Sequence, residues 1–431
     1  MRPYHPATAD QSFIFPPSLA DALSPRDPVH VVVRAVGELD LSPMHRKYRT
    51  RRGRPPFRPE LMVGLLLYGA CRGIYSSRRL EAACARDVAF MYLTGMARPD
   101  FHTIASFRRR FQRELVGLFG QVLALCRAAG LVRLGHVALD GTKVRANASK
   151  HKAMTYGRMV AKEHELEAEI QGWFERAERE DAEDDALYGR DDDGYSLPEE
   201  LAASEKRLET IREAKARLGE EARRKAGEAG KDPEEAQVSE RAQTNFTDPD
   251  SRIMHTPDGF QQCYNAQAAV DADSQVIVAQ EVSQAPPDVQ RLRPMLGKII
   301  EENRRVPAEL SADAGYASEA NFVALDDAGI YAVIALRRYR RDEPPDADPA
   351  PARSTNRWAQ RNEMRERLAM AEGKALYKLR KQTVEPVFGQ IKAARNFRQF
   401  LRRGLDAVQA EWSLVCTAHN LLKLGQAWAK A

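Results

Sequence analysis

The chain has 431 residues, 43% of them hydrophobic and 29% charged, with a formal net charge of +5. That is room for two or three domains of a soluble globular protein. Five scattered cysteines (Cys71, Cys84, Cys126, Cys263 and Cys416) form no C-x-x-C pair and have no histidine cluster beside them. This excludes a zinc module and points to a reducing cytosol. The start, MRPYHPATAD, is polar and shows no signal peptide, and the longest apolar stretch, around 61–68, is too short to span a bilayer. A cytoplasmic protein without a membrane partner is expected.

Residues 1–130 read as helical. Pro59 and Glu60 open a helix through Leu61, Met62, Leu65, Leu66 and Leu67. Ser76 or Ser77 caps a second, through Leu80 and Cys84, and Thr103 a third, through Ile104, Phe107, Phe111, Leu115 and Leu118. Short helices with tight turns resemble a helix-turn-helix. Two basic runs lie here: Arg46, Lys47, Arg49, Arg51, Arg52, Arg54 and Arg58, then Arg108, Arg109, Arg110 and Arg113. A third contains Arg337, Arg338, Arg340 and Arg341. Any one run suits a solvated helix face; separated basic stripes suit a long polyanion. Residues 1–130 are therefore expected to be a DNA-binding domain, with Arg51, Arg52, Arg54, Arg108, Arg109 and Arg113 as contacts.

LVRLGHVALD is strand-like and ends in Asp140. The basic segment after it holds Lys143, Arg145, Asn147, Lys150 and Lys152, and reads equally as a surface loop or as phosphate contacts near a cut site. Residues 159–240 read as an inserted helical hairpin. One stripe is Leu166, Ile170, Trp173, Phe174 and Ala177; the other is Leu201, Leu208, Ile211 and Leu218. Ser196-Leu197-Pro198-Glu199 is a capping box for the second helix, and Asp191-Asp192-Asp193-Gly194 fails the spacing of a calcium loop. Strands follow at 262–270 and 275–279, joined by the turn Asp271-Ala272-Asp273-Ser274. Then come a helix at 288–303, a short strand ending at Asp313, a helix, and a strand at 331–335. A loop at 337–357 precedes helices at 360–395 and 405–428. The order implies a mixed α/β sheet with flanking helices, built from 131–158 and 241–431.

At about 100° per residue, Lys381, Glu385 and Lys392 share a helix face, one carboxylate between two cations. Asp140 and Asp313 each end an apolar run. Read singly, each acid is a turn residue or a helix-face charge. Together they supply hard oxygen ligands for Mg²⁺ or Mn²⁺, and two such ions about 4 Å apart clamp both oxygens of a phosphodiester displacement. Asp271 and Asp273 read as structural turn residues, and His419 and Asn420 as packing or capping groups.

Several segments resemble the DDE transposases of bacterial insertion sequences. They are PDFHTIASFRRRF, VALDGTKVRANASKHKAMTYGRM, TDPDSRIMHTPDGFQQCYNAQAAVDADSQVIVA, LSADAGYASEANF, YKLRKQTVEPVFGQIKAARNFRQFLRRG and CTAHNLLKL. The resemblance implies an RNase H-like core, with Asp140, Asp313 and Glu385 as a catalytic, metal-binding triad for two ions. It also implies element ends and target DNA as partners, a homodimer or higher oligomer on DNA, and a nucleoid-associated enzyme. One branch carries the signature Tyr-x2-Arg-x3-Glu-x6-Lys. Here Lys392 is in place, Lys381 stands at the Arg position and Lys378 at the Tyr position. Tyr377 and Arg380 are each one residue out of step. Lys143, Arg145, Lys150, Lys381 and Lys392 are the DNA contacts expected near the site. Asp140 and Asp313 should leave neighbouring central strands, with Glu385 reaching over from its helix and Asp271 and Asp273 at the far end of a hairpin. Without the triad, a helix-turn-helix regulator would be the reading; without strand transfer, a nuclease of the same fold.

Overall fold

The structure, a computed structural model, describes residues 18–48, 55–149, 152–188, 199–228, 230–336 and 359–429. Arg51, Arg52, Arg54 and Lys150 lie outside them, as do the third arginine run, the acidic run at 191–193 and the cap at Ser196.

The first part is helical: α1 (Pro28–Glu38), α2 (Ser42–Arg46), α3 (Pro59–Cys71), α4 (Ser77–Arg86), α5 (Val88–Thr94), α6 (Phe101–Arg110) and α7 (Gln112–Ala128). Pro59 opens α3, where a missing N–H costs nothing. The expected third helix is two helices. Its cap is Asp100 rather than Thr103: the Asp100 carboxylate accepts the Thr103 N–H at 2.9 Å and the Thr103 hydroxyl at 2.7 Å. The backbone leaves helical geometry at Phe111 (φ −109°, ψ 26°), yet the stripe Ile104, Phe107, Phe111, Leu115 and Leu118 stays buried.

The strands are β1 (His136–Arg145), β2 (Ala153–Thr155), β3 (Gln243–Asn245), β4 (Arg252–Thr256), β5 (Gly259–Asp271), β6 (Ile277–Ser283), β7 (Glu309–Ala312) and β8 (Tyr331–Ile334). The main sheet runs β6–β5–β1–β7–β8, with β4 beside the first part of β5. The hairpins of β4, β5 and β6, and the β1–β5 pair, are antiparallel; β1, β7 and β8 are parallel. Val137, Ala138 and Leu139 are all fully buried, as a central strand covered on both faces requires. β1 does not end at Asp140. It continues to Arg145, because Gly141 to Arg145 pair with Cys263 to Gln267, so the segment read as a basic loop begins as strand. β4 was not expected; Pro257-Asp258-Gly259 makes the turn into β5.

Between the strands stand α8 (Tyr156–Tyr188) and α9 (Glu199–Glu228). They pack on each other through a small cluster of their own: Met159, Leu166, Leu208, Ile211, Ala214 and Leu218. Glu163 accepts from Arg212 at 3.1 Å and from Lys215 across this pair. The remaining helices are α10 (Leu292–Asn303), α11 (Glu319–Asp327), α12 (Ala359–Ala369), α13 (Ala371–Gly389) and α14 (Leu405–Trp428). The helix expected at 360–395 breaks at Met370, and α13 ends in a π turn, Gln390–Ala394. α14 is buried all round from Ala410 to Leu421, the pattern of a core helix. It packs on α1, α3, α7 and β6, so the N-terminal helices and the sheet share one hydrophobic core. Among the described residues no helix is long and apolar enough to cross a membrane.

Candidate active site

Leu139 and Ala312 are partners in the parallel β1–β7 pair, so the next residues on the two strands, Asp140 and Asp313, lie side by side. Asp140 projects from mid-strand. Asp313 follows the last residue of β7 and caps a short turn at Ala314–Tyr316, its Oδ1 accepting the Gly315 N–H at 2.8 Å.

α13 crosses β1, β5 and β7. Its buried stripe contains Leu376, Arg380, Thr383, Val384, Val387 and Phe388, the i, i+3, i+4 spacing that lays one face on a core. Pro386 lies inside this helix and cannot bond the carbonyl of Gln382. That carbonyl accepts instead from the Gln275 side chain, at 3.1 Å.

Arg380 comes down with the stripe. Its Nη1 stands 3.0 Å from Asp140 Oδ2, and its Nη2 is 3.9 Å from Glu385 Oε1. Burial pushes the Asp140 carboxyl up to about 6; Arg380 opposes that rise, and Asp313 and Asp288 add to it. Glu385 is more exposed, at 57% of its side chain, and reaches the site from the rim. Lys392 donates to Thr142 Oγ1 at 2.5 Å and to the Lys143 carbonyl at 2.9 Å. It thus holds the strand just past Asp140. Lys392 lies within the π turn Gln390–Ala394, whose wider winding shifts it out of α-helical phase with Glu385 and toward β1.

Other expected residues fall differently. Lys381, at the Arg position of the signature, is exposed, and Arg380, one residue out of step with it, is the cation that turns inward. The reason is register: Arg380 belongs to the apolar stripe, and Lys381 is turned about 100° from it. Tyr377 stands with Arg380, whose guanidinium lies 5.6 Å from the ring centroid. Lys143 is paired with Asp288 at 3.2 Å rather than free at the surface. Arg108 turns inward toward Glu411, and burial lowers it to about 10. Arg109, Arg113 and Arg145 are exposed.

Asp271 is buried at the far end of the β5–β6 hairpin and accepts the backbone N–H groups of Arg133 (3.0 Å) and Leu134 (2.9 Å). Asn420 exchanges two bonds with the Ile277 backbone, both 2.8 Å. His419 Nε2 lies 2.8 Å from the Gln275 carbonyl. All three are structural.

Sequence reasoning gave Arg380 no role in the site and missed Asp288, Asn265, Gln267 and Tyr316. Asn265 and Gln267 carried a signal. Two amides two apart in an apolar strand point to the same face, and buried amides need partners.

Two family models match the chain. The model of the Transposase DDE domain matches residues 239–421, and that of the Transposase domain (DUF772) matches residues 17–110. Together they cover well over half of the chain. It belongs to the DDE transposases of insertion sequences.

No curated protein and no solved structure matches this transposase. Its catalytic fold is RNase H-like, and the strand order β6–β5–β1–β7–β8 is the sheet of that fold here. Asp313 and Glu385 lie within the DDE match, and Asp140 lies between the two matched segments. As a member of this family the transposase is a DNA-binding enzyme of transposition. Among the described residues no three His, Cys, Asp or Glu side chains close into a metal cage. The donors nonetheless suit a hard cation: Asp140, Asp313 and Glu385 offer carboxylate oxygens, and a guanidinium already stands between two of them.

Proposed function

We propose that this transposase cuts DNA at the ends of its element and transfers the freed 3′-OH to target DNA, with Asp140, Asp313 and Glu385 as its catalytic acids. The observation that carries this reading is that all three acids act on one buried cation, Arg380. Asp140 and Asp313 adjoin on paired strands, and Arg380 spans from Asp140 to Glu385.

Mg²⁺ or Mn²⁺, held as a pair by the three acids, would supply an activated attacking oxygen and a stabilised leaving oxygen. The chain's own residues prepare the rest. Arg380 holds Oδ2 of Asp140 at 3.0 Å, and the Gly141 N–H orients its Oδ1 at 2.8 Å. Gly315 orients Asp313 in the same way. Lys392 fixes the strand beyond Asp140 and places positive charge beside the path of a scissile phosphate. Exposed Arg109, Arg113 and Arg145 suit contacts to the phosphate backbone. The helices before β1 form the end-binding part, and the α8–α9 arm, with a core of its own, reaches DNA or a second protomer in a dimeric or larger assembly.

The test replaces each acid by its amide. Asp140→Asn, Asp313→Asn and Glu385→Gln should each abolish cleavage of an element-end DNA in Mn²⁺ while binding in Ca²⁺ persists. Substantial cleavage by one variant removes that acid from the triad. Cleavage by the wild type without joined products reduces the enzyme to a nuclease.

A further inference from the structure

A second polar cluster lies on the other face of β1. Residues alternate along a strand, so Asp140 and Thr142 face α13, while Gly141 and Lys143 face away. Opposite them in register stand Gln267 and Asn265. Over this patch lies Asp288, from the loop between β6 and α10. Its Oδ1 accepts from Asn265 at 2.6 Å, Gln267 at 2.9 Å and Lys143 at 3.2 Å. Gln267 in turn accepts from the Tyr316 hydroxyl, in the turn capped by Asp313.

We propose that Asp288 is a positioning residue that holds, from the far face of the sheet, the two segments carrying Asp140 and Asp313. This rests on the triad proposed above. The contacts are close at two glycines. A Cβ at Gly141 would stand 2.7 Å from Asp288 Oδ1 and 2.3 Å from Gln267 Nε2. A Cβ at Gly315 would stand 3.3 Å from Asp288 Oδ2 and 2.8 Å from Asp313 Oδ1. Asp288 thus lies against the residue after Asp140 and against the residue whose N–H orients Asp313. A side chain at either glycine would push the prop away.

Asp288 is not a fourth ligand. Three donors saturate Oδ1, and Lys143 balances the charge, 3.4 Å from Oδ2. Outer partners of this kind tune a site by holding its ligands, and their loss costs about 10–100-fold in metal affinity or activity.

The experiment uses the full chain and a labelled element-end DNA. Asp288→Ala, Asp288→Asn and the pair deletion Asp288→Asn with Lys143→Met are compared with wild type. Single-turnover cleavage is followed over a Mn²⁺ titration, beside melting temperature and DNA binding in Ca²⁺. The expected result is binding within about twofold of wild type, half-saturating Mn²⁺ raised about tenfold, and cleavage recovering part of its loss at high Mn²⁺. A merely structural role would lower the melting temperature and leave the Mn²⁺ dependence unchanged, which would overturn the inference. If the single variants do not fold, the pair deletion decides. It keeps the packing without an unpaired charge, and wild-type Mn²⁺ dependence there would equally sink the proposal. Asp140→Asn runs in parallel. If it is inactive and the Asp288 variants behave as wild type, only the positioning role falls. If it still cleaves, the triad itself falls.

Discussion

Arg380 and Asp140, 240 residues apart in the chain, are joined by an ion pair of 3.0 Å at the centre of the sheet. The guanidinium is buried, and its second nitrogen stands 3.9 Å from Glu385. A single cation therefore faces two of the three acids. Asp140 has little water around it, so this pairing, with the neighbouring backbone N–H, offsets the cost of its charge.

Removing that cation should expose the cost. Arg380→Met is expected to lose about 3 kcal/mol of stability in chelator at neutral pH, because a buried carboxylate is left without its partner. Mn²⁺ should then raise the melting temperature of the variant more than that of the wild type, since the ion replaces the missing charge. Equal rises in the two proteins, measured by calorimetric scans with and without Mn²⁺, would show that Arg380 does not face the ion site.

Asp140 sets a pH dependence. Its folded value, pushed up to about 6 by burial, lies above its ordinary 3.8. Between those values the ion-free native state holds a proton that the unfolded state has released, so this group favours the fold more as pH falls and less as pH rises through about 6. An ion must displace that proton. Mn²⁺ affinity should therefore drop about tenfold from pH 7.5 to pH 5. Calorimetric titration at the two pH values measures it, and an unchanged affinity would remove Asp140 from the ligands.

His419 acts in the opposite sense. Burial, and then Arg395, lower it to about 3 from 6.5. Its ring is neutral: Nε2 faces the Gln275 carbonyl, and Nδ1 lies 3.1 Å from an Arg395 nitrogen. The unfolded chain takes up a proton below 6.5 that the native state refuses, so stability is lost as pH falls. From pH 7 to pH 5 this amounts to about 2 kcal/mol. His419→Gln should be less stable at pH 7 and lose about that much less on acidification, as read by urea denaturation. The same slope in both proteins would mean that the ring is not held neutral.

The α8–α9 arm has its own apolar cluster and its own ion pairs. Replacing residues 160–217 by a short Gly/Ser linker should leave the sheet folded, with a cooperative melt close to that of the intact chain. A broad transition, or an aggregating product, would show that the sheet depends on the arm for its packing.

Much of this architecture was legible in the chain itself. The apolar runs before Asp140 and Asp313 announced buried strands, and the stripes between 159 and 220 announced two helices meeting each other, because burial imposes its period on the residues that undergo it. The turn at Asp271 showed in the same way, since its chemistry is local. Boundaries were less legible. The break at Phe111 leaves the apolar stripe intact, and nothing in the spacing marks it.

What the sequence by itself determined was most of the strands and helices and, as candidates, the three acids carried on or beside them. What only the tertiary structure decided was which side chains meet there. Lys381 and Arg380 differ by one position, and both are long cations. The buried stripe of α13 chose Arg380, because packing against the sheet fixed the rotation of the whole helix. Asp288 sits in a loop with no periodicity to read. It reaches Gly141 only because β5 and β1 pair in a register that places Gln267 and Asn265 beneath it. Local preferences are written along the chain; contacts between residues far apart follow from how the finished surfaces fit.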